Sequence, residues 1–440
     1  MDSLNNKKNF ITILNIFIIF AVIVSVFGIY RDYKNTIENG GTDLRVQVTH
    51  ARVMLEGRDP YTFFWNEKES DLLLMPVEPS NLPYSNITIS PTVLLLRATV
   101  ADLPYKIQRY SWSILQWVLL VLSILFISKS TDSPYKSRLI WIFGLIFIAG
   151  SVFWRLHVER GQVYILYVFF ASLALWILSK DNKISHIIGG IVLGLLFCIR
   201  PPMLLIAIPF LIYKKWKILI GEVIGAIIGI FSPMILGGLR IWNSYIINSQ
   251  GYGNWYTNVR TVELEYNFPN RVIEGMGNIG KMADIPAADT SVLSLVRDYF
   301  SFFLSTKMLA VILLIIILGF SIFVLSLKIK KLSISGIFLI GIFFTSVCEY
   351  FLPAPRFTYQ DVIWLLSISL LILSFRLSEL LKSYLNILLF LGLFFSVSYT
   401  YVPGGLRFAD LMIIIYIFAM TVLMLSKQKK NIEVLIENSN

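Results

Sequence analysis

The chain has 440 residues, of which 56% are hydrophobic and only 15% charged, and its formal net charge is +11. A soluble domain carries about 25% charged residues, so this composition excludes an ordinary soluble protein and indicates an integral membrane protein. The basic residues lie in short loops between apolar segments, where lipid headgroups and membrane topology account for them, so we predict no nucleic-acid partner. Two cysteines and three histidines without zinc-binding spacing predict neither a disulfide framework nor a metal site, and we predict no cofactor.

The apolar segments predict an all-α polytopic membrane protein, a single integral membrane domain over residues 1–440. The first segment is longer than the apolar region of a signal peptide and has no small-residue cleavage site, so we expect a retained anchor. The segments around Arg200-Pro201-Pro202 are short enough to form a re-entrant pair. About twelve spans are predicted, near residues 9–29, 109–128, 138–154, 162–179, 184–199, 202–213, 217–238, 307–327, 332–350, 359–375, 384–401 and 409–426.

Positive charge predicts the orientation. Lysine and arginine concentrate at both termini and in alternate short loops, and the positive-inside rule places these segments in the cytoplasm. Two long loops, 30–108 and 239–306, then lie on the outer face, which we expect to be the periplasmic side of a bacterial inner membrane. Five arginines mark the outer ends of spans: Arg155, Arg160, Arg200, Arg356 and Arg407.

The first outer loop begins with an amphipathic pattern from Thr42 to Glu56, which predicts an interfacial helix with its polar face toward water or a cavity. Its apolar stripe consists of Leu44, Val48, Ala51 and Leu55, and its polar stripe of Asp43, Gln47 and His50. Gly57 is a typical C-terminal cap. Ser90-Pro91 predicts the start of a second short interfacial helix, from Thr92 to about Ala101.

Asp43 stands about 13 residues beyond the first span, on the polar face of the first interfacial helix. An aspartate at a helix N-terminus commonly caps the helix or stabilises its dipole, and the pattern alone favours that structural role. A catalytic carboxylate is the alternative interpretation.

Four segments together resemble glycosyltransferase family 87, a family that contains polyprenol-phosphate-mannose-dependent mannosyltransferases of the GT-C superfamily. They are Asp43-Leu44 with Ala51 to Tyr61, Ser90-Pro91 with Leu103-Pro104, Gly161-Gln162-Val163, and Gly194-Leu195 with Arg200-Pro201-Pro202 and the basic segment 213–217. The resemblance is dispersed over the first half of the chain. The later segment 353–359 is where the family motif before a late span is expected, but many members have a histidine there and this chain has none.

The resemblance implies a GT-C-type fold and transfer of a sugar, mannose or another hexose or pentose, from a polyprenyl-phosphate donor to a glycan or glycolipid hydroxyl at the bilayer surface. It implies that Asp43 is the catalytic base, since a hydroxyl needs a base while the lipid phosphate leaves readily, so that one carboxylate suffices and the anomeric carbon inverts. The five outer arginines are expected to bind the donor phosphate, although some must only reach lipid headgroups. Expected substrate contacts are Gln47, His50, Gln162, Tyr359 and Trp255.

Two other functions remain open at this stage. A transporter or lipid-linked glycan flippase would place ionisable residues within spans, where Glu222 and Glu349 are the main examples. A glycan polymerase or ligase that uses a lipid-pyrophosphate donor would depend on the arginines more than on Asp43.

Overall fold

The computed structural model describes residues 2–39, 41–63, 65, 68–73, 87–258, 289–329, 331–397 and 405–437. Within these ranges the regular structure is helical, with one isolated β-bridge between Asp289 and Phe357. The helices of the first half are α1 (Asp2–Asn39), α2 (Thr42–Leu55), α3 (Pro91–Ala98), α4 (Tyr105–Ser128), α5 (Pro134–Ile142), α6 (Val152–Arg160), α7 (Tyr164–Leu178), α8 (Lys183–Ile199), α9 (Ala207–Ile212) and α10 (Trp216–Phe231). Those of the second half are α11 (Met234–Gly237), α12 (Ile241–Asn258), α13 (Val292–Phe300), α14 (Thr306–Ser326), α15 (Ile334–Phe351), α16 (Trp364–Ser374), α17 (Leu377–Leu381), α18 (Asn386–Val397) and α19 (Gly405–Glu437).

The apolar helices confirm an all-α membrane protein. Six helices of the described chain are long and apolar enough to cross a bilayer, and a bent pair gives a seventh candidate. The other predicted spans coincide with shorter apolar helices, such as Lys183–Ile199, Pro201–Ile212 and Thr358–Ser374. The count of twelve crossings therefore stays a prediction.

Helices α8 and α10 pack with their backbones almost in contact. A methyl group added at Gly190 or Gly194 would collide with the backbone of α10, and one at Gly221 or Gly225 would collide with that of α8. Small residues permit such close approach, the usual way in which helices associate where the surrounding lipid is as apolar as their side chains. This pairing places the end of α8, and with it Arg200, in a fixed position.

The bent pair α6–α7 forms a corner at one end of the bundle. The two helices meet at 111°. Gly161 caps α6 with φ +70°, a left-handed conformation that glycine adopts at little cost. The side chains of Arg160 and Gln162 therefore project from either side of one tight turn. We call this end of the bundle, which also carries Arg200, the predicted outer end.

The two helices predicted for the first long loop are confirmed, with differences. Helix α2 spans Thr42–Leu55, whereas α3 ends at Ala98 rather than near Ala101. Ser90 occupies the N-cap position of α3, but its hydroxyl makes no capping bond and instead donates to the carbonyl of Ile199, 2.9 Å away. That bond ties the first loop to the end of α8.

The expectation that the polar stripe of α2 faces water or a cavity is wrong for two of its three residues. Gln47 and His50 are buried, and only Asp43 keeps substantial exposure. Helix α2 packs against α3, α4 and α6, so its polar stripe lies inside the protein. It is thus a packed element of the bundle end.

Candidate functional site

Asp43 is held by two side chains from the α6–α7 corner. Arg160 binds it with both arms, since Nε donates to Oδ2 at 2.7 Å and Nη2 donates to Oδ1 at 2.9 Å. The Gln162 amide also donates to Oδ2. The side chains of Asp43 and Arg160 remain 29% and 40% exposed, so a ligand can reach the carboxylate. The pairing joins residues 117 positions apart in the chain.

A buried layer beneath this pair fixes the corner. Arg97 Nε donates to the Gln47 amide oxygen at 2.9 Å, and its guanidinium lies 3.7 Å from the centre of the Trp112 ring. The Trp112 indole in turn donates to the carbonyl oxygens of Gly161 and Gln162. Burial lowers the pKa of Arg97 to about 9. Through its bond with Arg97, Gln47 belongs to this buried layer, which supports the α6–α7 corner.

Two tyrosines connect the Asp43–Arg160 pair to a second ion pair. The Arg160 guanidinium lies 5.4 Å from the centre of the Tyr359 ring, and Tyr359 lies 5.8 Å from Tyr164. Arg200 lies 5.4 Å from the centre of the Tyr164 ring. These distances are within the range of cation–π contact.

The second pair joins Arg200 and Glu349 in the same two-armed geometry as the first. Arg200 Nε donates to Oε1 at 2.6 Å, and Nη2 donates to Oε2. We call the whole arrangement the polar row; it consists of Asp43, Arg160, Tyr359, Tyr164, Arg200 and Glu349, with Gln162 beside Asp43. Formal charges along it sum to zero, because each guanidinium meets one carboxylate.

Two predicted site residues, His50 and Arg155, lie apart from the row. His50 Nδ1 donates to the carbonyl of Val46 within α2, at 2.8 Å, in a buried position. Arg155 lies on α6, which packs against α1, close enough to attract the buried carboxylate of Asp32 electrostatically. The side chain of Trp255 lies outside the described part of the structure.

Arg356 and Arg407 are buried in a separate ion-pair network. Arg356 pairs with Asp361 at 2.8 Å and with Asp410, and Arg407 pairs with Asp298 at 2.6 Å. The network also holds Asp289, which accepts a bond from the backbone N–H of Arg356. This network joins α13, α19 and the segment before α16. The two arginines therefore hold the ends of these helices together. Their predicted role at the donor phosphate stays a prediction.

Tyr164 and Glu349 belong to the site but were not predicted from the sequence as members of it. Tyr164 follows Gln162 by two residues, at the start of an apolar helix, and resembles an ordinary interfacial aromatic residue. Glu349 gave a signal, since an acid inside an apolar segment is costly unless it has a partner. That partner, Arg200, lies 149 positions away. Within the described ranges, no cluster of three or more His, Cys, Asp or Glu could hold a metal ion.

A sequence model of glycosyltransferase family 87 matches residues 88–327, more than half of the chain. The matched range includes Arg160, Gln162, Tyr164 and Arg200, and it begins after Asp43. Comparison with curated proteins gives no match. The protein belongs to glycosyltransferase family 87.

Proposed function

We propose that the protein transfers a sugar from a polyprenyl-phosphate donor to an acceptor hydroxyl at the predicted outer end, with Asp43 as the general base. The observation that carries the proposal is the polar row. The Asp43 carboxylate at one end of it is 29% exposed and is bound by Arg160, and two tyrosines lead from this pair to a second guanidinium, that of Arg200. Glycosyl transfer from a lipid phosphate needs a base, cations for phosphate, and surfaces for the sugar.

The hydrogen bonds on Asp43 indicate which oxygen would take the proton. Oδ2 accepts from both Arg160 and Gln162, whereas Oδ1 accepts from Arg160 alone. Each carboxylate oxygen can accept about two hydrogen bonds. Within the described contacts, Oδ1 therefore retains an acceptor position, and we assign the acceptor hydroxyl to that side.

The cations of the row fit the donor phosphate. Guanidinium groups bind phosphate oxygens with two parallel N–H bonds, and Arg160 and Arg200 flank the tyrosine pair from opposite ends. The rings of Tyr164 and Tyr359 lie between them, where they offer apolar surface and hydroxyl groups to the sugar. We propose that the phosphate binds near Arg200 and the sugar lies along the tyrosines toward Asp43.

The remaining features of the proposal follow from the resemblance and the charge pattern. The fold would be of the GT-C type with about twelve spans, both termini in the cytoplasm, and the polar row at the periplasmic face of a bacterial inner membrane. Direct displacement at the anomeric carbon would invert its configuration. The donor sugar would be mannose or another hexose or pentose, and the acceptor a glycan or glycolipid.

The test uses the purified protein in detergent with polyprenyl-phosphate mannose and a lipid-linked glycan acceptor, measuring release of polyprenyl phosphate and formation of the glycoside. Asp43→Asn keeps the size of the side chain but removes the base, so turnover should fall by about 10²–10⁴-fold. Donor binding and folding should change little.

The matched control is Asp71→Asn, which alters an exposed acid in the same loop outside the row. It should retain turnover. Full turnover in Asp43→Asn would exclude this residue as the base. Sugar exchange across vesicle membranes without glycoside formation would favour a transporter instead.

A further inference from the structure

Glu349 occupies the Nε–Nη2 edge of Arg200, the cation to which the proposed function assigns the donor phosphate. Its two oxygens accept from Nε and Nη2 of the same guanidinium. A phosphate would use these N–H groups in the same side-on manner. The carboxylate of Glu349 thus stands where two oxygens of a bound phosphate would stand.

The pair is more deeply buried than the Asp43–Arg160 pair. The exposed fractions are 19% for the Arg200 side chain and 8% for that of Glu349. Two buried charges lose most of their hydration, and their attraction commonly only offsets that loss, so such a pair is weak support for a purely stabilising role. A role in ligand binding explains why a charge pair, and not an apolar contact, stands here.

We propose that Glu349 is a positioning residue that holds Arg200 until the donor phosphate displaces its carboxylate. This inference rests on the proposed function, since it needs a lipid phosphate as ligand. A neutral lipid cannot compete with the carboxylate, whereas a phosphodiester carries the same charge and replaces it.

The structure also offers groups that can receive the displaced carboxylate. The phenol groups of Tyr164, Tyr167 and Tyr245 all lie near enough to Glu349 to interact with it electrostatically. Tyr164 and Tyr167 lie on α7, and Tyr245 lies on α12. Rotation of the glutamate side chain toward these hydroxyls would free the guanidinium.

The test measures binding of farnesyl phosphate, a short lipid monophosphate, to the full-length protein in detergent, through the change in tryptophan fluorescence. Farnesol is the uncharged control ligand. When a site is blocked most of the time, its apparent affinity falls in proportion to the fraction that is open. Glu349→Gln removes the competing charge, so the Kd for farnesyl phosphate should fall by about tenfold or more, and farnesol should gain nothing.

The matched control variant is Glu69→Gln, which removes the carboxylate of another two-armed Arg–Glu pair, with Arg58, outside the polar row. Its Kd should equal that of the wild type. If Glu349→Gln fails to fold, Glu349→Asp serves in its place, because a shorter side chain retains the charge but loosens the pair. It should also bind farnesyl phosphate more tightly than the wild type.

A folded Glu349 variant whose Kd is unchanged or higher, while the wild type binds farnesyl phosphate, overturns the role of Glu349 and leaves the proposed function standing. If neither the wild type nor the Glu349 variant binds farnesyl phosphate, the role of Glu349 and the proposed function are both overturned. Tighter binding by Glu349→Gln together with full turnover by Asp43→Asn supports the inference and removes only the base. Equal tightening of farnesol would show a general opening of the site and contradict a charge-selective role.

Discussion

Gly161 provides a way to move the proposed base without changing any group of the polar row. A Cβ at this position would stand 2.6 Å from the Cβ of Leu44, next to Asp43 in the chain. Carbon atoms in good contact are about 3.5–4.0 Å apart, so Gly161→Ala must separate α2 from the corner by about 1 Å. A misplacement of that size can lower a catalysed rate by about 10²-fold.

Gly161→Ala also destabilises the backbone conformation at this position. A substitution at a second glycine measures that cost separately. Gly161 has φ +70°, and an L-residue in that conformation costs about 1–2 kcal/mol. Gly57, at the other end of α2, has φ +69° but no atom within 4 Å of its added Cβ. Gly57→Ala should therefore carry the same loss of stability without displacing Asp43.

The assay compares turnover and unfolding temperature for the two variants in detergent. We expect similar decreases in unfolding temperature, with turnover lowered about 100-fold only in Gly161→Ala. Because the change affects positioning, donor affinity should change less than the rate. Equal turnover in the two variants would refute the claim that the contact between Leu44 and Gly161 positions the carboxylate.

Two further predictions concern stability. Burial raises the pKa of Asp289 from 3.8 to about 6, so its contribution to stability is complete below about pH 4 and is lost as pH rises through 6. In Asp289→Asn, the plot of unfolding temperature against pH should therefore be flatter over this range. An unchanged slope would contradict the assignment. Gly194→Leu should separate α8 from α10 and displace Arg200, which predicts a lower unfolding temperature and weaker farnesyl phosphate binding, whereas Gly251→Leu, with open space around its Cβ, should change neither.

The helices could be predicted because each depends on residues close together in the chain. The stripe of Leu44, Val48, Ala51 and Leu55 predicted α2. The first three are buried in the structure, whereas Leu55, the last residue of the helix, is exposed. The same local pattern could not show that α2 is covered on its polar side as well. That depends on Arg97, which approaches Gln47 from another helix.

The site could be predicted only in part, because its order comes from contacts between distant segments. Asp43, Arg160, Gln162, Arg200 and Tyr359 were each proposed from their types and from the family resemblance, and the fold brings them into one row. Spacing along the chain does not indicate that Arg160 pairs with Asp43 or that Arg356 pairs with Asp410. Both were predicted from the sequence to be outer arginines, and only their partners in the fold distinguish them.

The polar row also suits the movement of charge in the proposed reaction. As the glycosidic bond forms, the acceptor proton passes to Asp43, which becomes neutral, and the departing lipid phosphate gains one negative charge. Arg160 then loses its ionic partner at the stage when the phosphate needs a further cation, and a guanidinium can turn from one anion to the other along the face of Tyr359. Gln162 is neutral, so it can donate to Oδ2 in both protonation states and hold the carboxyl group in place. The pairing of Asp43 with Arg160 is therefore compatible with a base, because the cation that stabilises the carboxylate at the start is available to the phosphate at the end.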